Sequence, residues 1–245
     1  MNTLPRIITV SCVLLLAACS SYDVEYPLPP QTSSADSSAA VSSAPVAKVE
    51  SSAQASSLPA SVIIKVPFGS QAPMGKWDAV HQQACEEASL ALVHAYLEGK
   101  TVTPVEMESR IRNIISYESE HGYQVDVTVA ELKTIAAEMF GLKGRILENV
   151  TAMTLKRELA AGNPIIIPAA GRLLGNPYYT GEGPPYHMIV VIGYDEKNFI
   201  TQDVGTKRGE HYAYSYTTLV EAIHDWTGSD DMIATGPKDA LVLTK

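Results

Sequence analysis

Cys85 is the only cysteine after residue 60, and its surroundings suit a nucleophile. The other two cysteines, Cys12 and Cys19, belong to an apolar N-terminal segment, so the rest of the chain offers no disulfide partner. Cys85 opens an apolar run that predicts a buried helix, Cys85–Glu98, and the N-terminus of a helix stabilises a thiolate. A thiol in this position needs a base, and the base needs an acceptor that orients it.

The base is expected to be a histidine, and the chain has His81, His94, His121, His187, His211 and His224. His187 opens an apolar strand, predicted at 187–194, so a rigid element would carry its ring towards a cleft. Asp203 ends the next predicted strand, 199–203. A turn at 195–198 would make the two strands an antiparallel pair and bring His187 beside Asp203. Cysteine, histidine and aspartate together predict acyl transfer through a thioester.

The elements that position these residues fall into two halves. Hydrophobic periodicity and capping signals predict, after a short strand at 62–68, helices at Cys85–Glu98, 104–115, 128–141 and 154–161. The second half favours strands at 165–168, 187–194, 199–203, 212–216 and 240–244, with a helix at 217–226. This order predicts an α+β fold in which a helical N-terminal half packs on a mainly antiparallel sheet. A long loop, 171–185, precedes His187 and could wall a site.

The first 19 residues predict an export signal rather than part of the fold. Residues 7–16 are apolar but too short to span a bilayer as a mature helix. Leu16-Ala17-Ala18-Cys19 resembles the bacterial lipoprotein cleavage motif, which implies that Cys19 is the lipid attachment site. A plain signal peptide cleaved after Ala18 is the alternative. Ser20 rather than aspartate follows the cysteine, which would direct the protein to the outer membrane of a Gram-negative cell.

Residues 20–60 are mostly Ser, Ala and Pro with few large apolar side chains. Such a stretch buries too little surface to offset its conformational entropy, so it predicts a disordered tether. Residues 61–245 are long enough for one domain with a core, and a monomer is expected. The lipid at Cys19 would hold this domain at the membrane of the bacterial cell envelope.

Composition excludes several classes of function. The formal charge is −9 and the basic residues form no cluster, which argues against nucleic acid as a partner. The chain has no Gly-rich phosphate loop, no Cys-x-x-Cys pair and no His-Glu-x-x-His helix. We therefore expect neither a metal nor an organic cofactor, and a peptide or protein as substrate.

Four segments carry a resemblance to a known family: Val66-Pro67-Phe68-Gly69-Ser70-Gln71, Cys85-Glu86-Glu87-Ala88-Ser89-Leu90, His187-Met188-Ile189-Val190-Val191-Ile192-Gly193-Tyr194-Asp195 and Asp203-Val204-Gly205. They are similar to the bacteriocin-processing double-glycine leader peptidases and their stand-alone relatives, in the papain-like clan. The resemblance covers residues 66–242 and implies a papain-like fold.

The resemblance also implies roles for four residues. Cys85 would be the nucleophile, His187 the base and Asp203 the orienting acid, while Gln71 would help to bind the oxyanion. Papain-like sites accept an amide as the orienting residue, so Asp203→Asn is expected to be mild. Gln82 and Gln83 are alternatives to Gln71.

The chain departs from the family beside the cysteine. Glu86 and Glu87 stand where Gly-Pro is common, and like charges there would raise the pKa of the thiol. Three functions remain open: a hydrolase of peptide or isopeptide bonds, a non-catalytic surface lipoprotein that uses the same fold as a binding module, and a cysteine-dependent cell-wall amidase or acyltransferase.

Overall fold

The computed structural model describes residues 58–245. The predicted signal, Cys19 and almost all of the predicted tether lie outside these residues. The described part forms five α-helices: α1 (Cys85–Glu98), α2 (Pro104–His121), α3 (Val129–Phe140), α4 (Ala152–Ala160) and α5 (Tyr216–Ala222). It forms seven strands: β1 (Val62–Ile63), β2 (Lys143–Leu147), β3 (Ile165–Ala170), β4 (Tyr186–Tyr194), β5 (Asn198–Gln202), β6 (Tyr212–Ser215) and β7 (Ala240–Thr244). Two short 3₁₀ helices cover Gly171–Leu174 and Asp230–Thr235.

The strands form one antiparallel sheet in the order β2-β7-β3-β4-β5-β6. Strand β4 lies near its centre, and each of its nine residues is buried. A strand covered on both faces reads as a continuous apolar run, which is why Met188 to Ile192 contains no polar residue. Strand β1 pairs with the end of β4 at Gly193 and Tyr194. The α+β prediction is confirmed, with the helices of the first half packed on a mainly antiparallel sheet.

Helix α1 is the central helix and packs on β4 and on α2. Its residues from Cys85 to Val93 are all buried. Burial was predicted for the apolar residues from Leu90 on, but not for Glu86 and Glu87. The helix ends where Gly99 takes a left-handed conformation, φ 73°, that favours glycine. Cys85 is thus the first residue of a helix that packs on β4 and α2, so packing rather than a loop sets its position.

Helix α2 is longer than the sequence predicts. It begins with a capping box between Thr103 and Glu106 and continues past residue 115 to His121. Its buried stripe is Met107, Ile111, Ile114 and Glu118, so a glutamate occupies the last inward position. We expected the helix to stop where the apolar residues stop, whereas the helical period continues with a carboxylate.

Other boundaries also differ from prediction. Strand β2 was not predicted, because Lys143 and Arg145 make this edge strand look polar. Strand β1 keeps only two of its seven expected residues, Val62 and Ile63. Helix α5 ends at Ala222, before the predicted residue 226. None of the helices in the described range combines the length and apolarity that a bilayer crossing requires.

Candidate active site

One cavity of about 410 Å³ brings together the residues that the sequence singled out. Cys85 at the start of α1, His187 near the start of β4 and Gln71 from the loop after β1 all line it. Tyr179, Thr180, Gly183, Pro184 and Pro185 form another wall, so the loop 171–185 borders the site as predicted.

Cys85 is a free thiol with 4% of its surface exposed. Its Sγ atom forms a hydrogen bond at 3.0 Å with Glu86 Oε2. The direct hydrogen bond with His187 that a cysteine–histidine pair would form is not present among the described residues. The resting thiol thus turns to a carboxyl group of its own helix.

Several groups act on the ionisation of Cys85. Burial raises the pKa of the thiol well above its usual value, and the adjacent Glu86 raises it further by charge repulsion and by their hydrogen bond. The backbone of Met188, the residue after His187, acts in the opposite direction. Burial is thus the largest cause, and the like-charge effect expected from Glu86 adds to it where Glu86 is ionised. The balance favours a protonated thiol at rest.

Glu86 is itself fully buried, and burial raises the pKa of its carboxyl to about 8. Hydrogen bonds oppose this shift: one joins it to Cys85, and the backbone amide of Val127 donates to Oε1 at 3.3 Å. The nearby charge of Asp126 raises the pKa again. At neutral pH Glu86 is mostly neutral, and a neutral carboxyl can donate a hydrogen bond to a thiolate.

His187 Nε2 lies 2.9 Å from Asp203 Oδ1. Both side chains are almost completely buried, at 1% and 0% exposure. Because the carboxylate accepts from Nε2–H, the proton of neutral His187 sits on Nε2 and Nδ1 keeps its lone pair. Nδ1 has no hydrogen bond to any described residue, so it is the ring nitrogen free to act on the cavity.

Asp203 accepts five hydrogen bonds. Besides His187, the donors are Gly205 N to Oδ1 at 3.0 Å and, to Oδ2, Tyr214 Oη at 2.6 Å, Tyr179 Oη at 2.7 Å and Asn176 Nδ2 at 2.9 Å. Burial alone would raise the pKa of this carboxyl, but His187 and the two tyrosines hold it below its usual value. The group therefore stays ionised inside the protein.

This arrangement changes the expectation for Asp203→Asn. An amide has one acceptor oxygen and one donor nitrogen, whereas the site offers donors on both sides of the carboxylate. An asparagine would place its NH₂ against either His187 and Gly205 or the two tyrosines. From these contacts we expect a larger effect of Asp203→Asn than the sequence resemblance implies.

The ring of His187 is fixed by its neighbours as well as by Asp203. Tyr179 meets it edge-on, with ring centres 5.5 Å apart. A Cβ atom on Gly205 would come within 2.8 Å of His187 Nε2, so only glycine fits beside the imidazole. Tyr179 and Asp203 thus contact the ring, and the missing side chain of Gly205 makes room for it.

The glutamines differ in how firmly they are held. Gln71 is 3% exposed, its backbone amide donates to Val204 O at 2.9 Å, and its Nε2 donates to His81 O at 2.8 Å. Gln83 lines the same cavity but is exposed, and Gln82 Nε2 donates to Trp77 O. Nε2 of Gln71 has a second hydrogen that remains available to a ligand.

Sequence reasoning missed the partners of Asp203 and the contact of Glu86. Tyr214 could have been found, because it lies on β6 beside the strand that leads to Asp203. Asn176 gave no signal, since loop conformation alone brings it to the site. Among residues 58–245 no cluster of three or more His, Cys, Asp or Glu side chains could hold a metal ion.

Comparison with known proteins decides the family. Residues 63–230, well over half of the chain, match the family model described as Peptidase_C39-like. The chain belongs to the Peptidase_C39-like family. It therefore contains a papain-like cysteine peptidase domain, as the sequence motifs predicted.

The peptidase domain is also similar to the crystal structure of a candidate C39-like peptidase from Bacillus anthracis. That similarity has a TM-score of 0.49 and 16% identity, and covers 76% of this chain and 98% of the other. No curated protein sequence matches the chain.

Replacing Glu86 by glutamine is expected to make Cys85 more reactive. The variant removes a charge that raises the pKa of the thiol, while its amide can still donate to the sulfur. The rate of alkylation by iodoacetamide at pH 9, where wild-type Glu86 is mostly ionised, should rise about tenfold for each unit by which the thiol pKa falls. Glu98→Gln, at the opposite end of α1 from Cys85, is the matched control and should react like the wild type. An equal or slower rate in Glu86→Gln would show that Glu86 does not govern the thiol.

Proposed function

We propose that this chain is a membrane-tethered cysteine hydrolase of the bacterial cell envelope that cleaves a peptide or isopeptide bond with Cys85, His187 and Asp203. The observation that carries the proposal is the hydrogen bond between His187 Nε2 and Asp203 Oδ1, which leaves Nδ1 free in the cavity that Cys85 also lines. Acyl transfer by a thiol requires a base that takes the proton of the nucleophile and an acceptor that orients the base.

The chemistry begins with proton transfer. His187 Nδ1 takes the proton of Cys85, and the thiolate attacks the carbonyl carbon of the scissile bond. The imidazolium, stabilised by Asp203, then gives this proton to the leaving amine, and a thioester forms. Water next attacks the thioester while His187 accepts its proton. Collapse of this second intermediate releases the carboxylic acid product and restores the thiol.

Substrate binding has to break the resting hydrogen bond between Cys85 and Glu86. A carbonyl group in the cavity would bring the sulfur towards Nδ1, and hydrogen bonds of a resting site commonly tighten only in the complex. Glu86 then faces a thiolate rather than a thiol. Its neutral form can donate a hydrogen bond to this sulfur and so stabilise the thiolate before it attacks the carbonyl.

Two donors support the developing oxyanion. The backbone amide of Cys85 is at the first position of α1, where an amide has no partner in its own helix. Gln71 Nε2 is the proposed second donor, because the side chain is buried and held by His81 O. Gln83 stays the alternative, but its exposure makes it a poorly fixed donor.

The membrane part of the proposal rests on residues outside the described range. Leu16-Ala17-Ala18-Cys19 supports lipid attachment at Cys19, and the Ser/Ala/Pro-rich segment 20–60 supports a flexible connection. The lipid would keep the peptidase domain at the envelope while the segment lets it reach substrates away from the bilayer.

The non-catalytic binding module is favoured by one observation, the high pKa of the buried Cys85 thiol. The same activity test separates it from the hydrolase. The cell-wall amidase differs from the first proposal only in substrate. Release of fragments from isolated cell walls would indicate the amidase, and cleavage of a peptide would indicate the peptidase.

The triad predicts graded losses in the reaction of Cys85 with a thiol-directed activity probe. Cys85→Ala should abolish labelling, and His187→Ala should slow it by about 10²-fold or more near neutral pH, because no base remains to take the proton. Asp203→Asn should also slow it strongly, since the amide disturbs the tautomer of His187. His211→Ala, a histidine outside the cavity, is the control. Labelling of His187→Ala at the wild-type rate would contradict the assignment.

The oxyanion donor is tested by comparing two glutamines. Gln71→Ala should lower the turnover number by about 10²–10³-fold and leave alkylation of Cys85 nearly unchanged, since the donor acts on the carbonyl oxygen and not on the thiol. Gln83→Ala should retain most activity. The reverse result, with loss confined to Gln83→Ala, would transfer the role to Gln83.

If Cys19 carries the lipid, the Cys19→Ala variant should move from the membrane fraction to the soluble envelope fraction. Cells grown with labelled palmitate should label the wild type but not this variant, which should appear in the soluble envelope fraction. Cys12→Ala, inside the apolar segment, should behave like the wild type. Membrane retention of unlabelled Cys19→Ala would refute the anchor.

A further inference from the structure

A second cavity, of about 320 Å³, continues from the active site. Trp77, Thr180 and Gly205 line both this cavity and the one that Cys85 and His187 line. Because the two cavities share these three residues, a substrate bound at Cys85 can extend from one into the other. The second cavity is called here the 205–208 cleft, after the four consecutive loop residues that line it.

The loop that lines the cleft is fixed to Asp203, the proposed orienting acid. Asp203 N donates to Gly209 O at 2.9 Å, and Gly205 N donates to Asp203 Oδ1 at 3.0 Å. A Cβ atom on Gly209 would lie 1.7 Å from Asp203 O, so the loop can close in this way only with glycine at that position. Lys207 and Arg208 lie between the two glycines. The residue that orients the imidazole therefore also sets the position of the backbone that carries these two side chains.

Lys207 and Arg208 bring two positive charges to the cleft. Neither side chain forms an ion pair with a carboxylate anywhere in residues 58–245. Arg208 lies over the ring of Tyr178, with its guanidinium carbon 4.8 Å from the ring centre. An aromatic face holds a cation in place without neutralising it, so the charge remains available to a ligand. The formal charge of the chain is −9, so this part of the active-site rim is opposite in sign to the protein as a whole.

The walls of the cleft suit a peptide that carries a negative charge. Trp77 and Tyr178 line the cleft, and both are exposed, at 38% and 45%. Tyr178 also meets Tyr212 edge-on, with ring centres 6.1 Å apart, so its ring has a second neighbour besides Arg208. Exposed aromatic rings offer apolar area to a bound chain, and the planar guanidinium can donate two parallel hydrogen bonds to a carboxylate. Cations and aromatic walls together therefore fit a carboxylate on a peptide.

We propose that the 205–208 cleft is a specificity subsite that binds a carboxylate group of the substrate near the scissile bond. This inference rests on the proposed hydrolase function and names a feature of its substrate. Arg208 donates to both carboxylate oxygens, Lys207 adds a second positive charge, and the aromatic walls pack on the adjoining peptide. An acidic side chain and the C-terminus of a peptide present the same two oxygens, and the experiment distinguishes these two sources.

The experiment compares peptides that differ only in one carboxylate. A parent peptide is selected from a random quenched fluorescent library for cleavage by the wild type. It is then made with glutamate or glutamine at each position on both sides of the scissile bond, and with a free or amidated C-terminus. One glutamate position, or the free C-terminus, should raise kcat/KM about fivefold or more over its amide partner, as expected for a bidentate pair that water partly screens. In Arg208→Gln this ratio should fall to within about twofold.

Two further variants make the comparison specific. Arg157→Gln, an exposed arginine on α4, is the matched control and should keep the wild-type ratio. Lys207→Gln should lower the ratio less than Arg208→Gln does, because an ammonium group makes no bidentate contact. Cleavage without a carboxylate preference at any position or at the C-terminus would overturn the subsite, and so would a preference that Arg208→Gln retains.

Failure of the hydrolase proposal gives a different result, in which no member of the library is cleaved. The cleft is then tested by NMR titration of the Cys85→Ala protein. The chain has two tryptophans: Trp77 lines the cleft, and Trp226, which packs against Tyr186, is the internal control.

The NMR probes are N-acetylglutamate N-methylamide for an acidic side chain and N-acetylglycine for a C-terminus. At least one of them should shift the indole N–H signal of Trp77 more than its uncharged amide does, and adding Arg208→Gln should remove this difference. Equal or absent shifts for both carboxylates and their amides, or a difference that Arg208→Gln retains, would overturn the subsite.

Discussion

The buried carboxylate of Asp203 is the group on which the rest of the site depends. An ionised group with no exposed surface is costly unless hydrogen bonds replace its lost hydration. Five donors do so here, and they come from β4, from the loop 171–185, from β6 and from the backbone of Gly205. The same bonds that stabilise the charge therefore join four parts of the chain around His187.

The surroundings of Cys85 oppose the charged form that a thiol nucleophile needs. The start of α1 favours a thiolate through its free amides, but burial and Glu86 oppose it. Asp203 and Glu86 thus illustrate two outcomes of burial for the same functional group. Donors surround Asp203 and keep it charged, whereas Glu86 has only backbone amides and the thiol as donors and becomes mostly neutral. Their different protonation states give the site both a fixed anion and a proton donor.

Much of this could be predicted from the sequence, because the informative residues lie on regular elements. The apolar run after Cys85 predicted helix α1 and its first residue. The two strands predicted within 187–203 placed His187 beside Asp203. The polar edge strand β2 was missed since its alternate residues face solvent. Asn176 reaches the site through a loop, which no periodicity describes. Glu118 was missed for a different reason: hydrophobic patterns treat a glutamate as a solvent-facing residue, and here it occupies the inward face of α2.

Strand β1 has a consequence for how the domain is attached. It pairs with Gly193 and Tyr194 of β4, and Ile64 N donates to Ile192 O at 2.7 Å, while Tyr194 Oη donates to Pro59 O at 3.0 Å. The strand that receives the incoming chain is therefore the strand that carries His187 at its other end. A force that pulls on the chain before residue 58 would therefore act on β4, the strand that carries the proposed base. The entry of the chain into the domain and the proposed base therefore both depend on one strand of nine residues, β4.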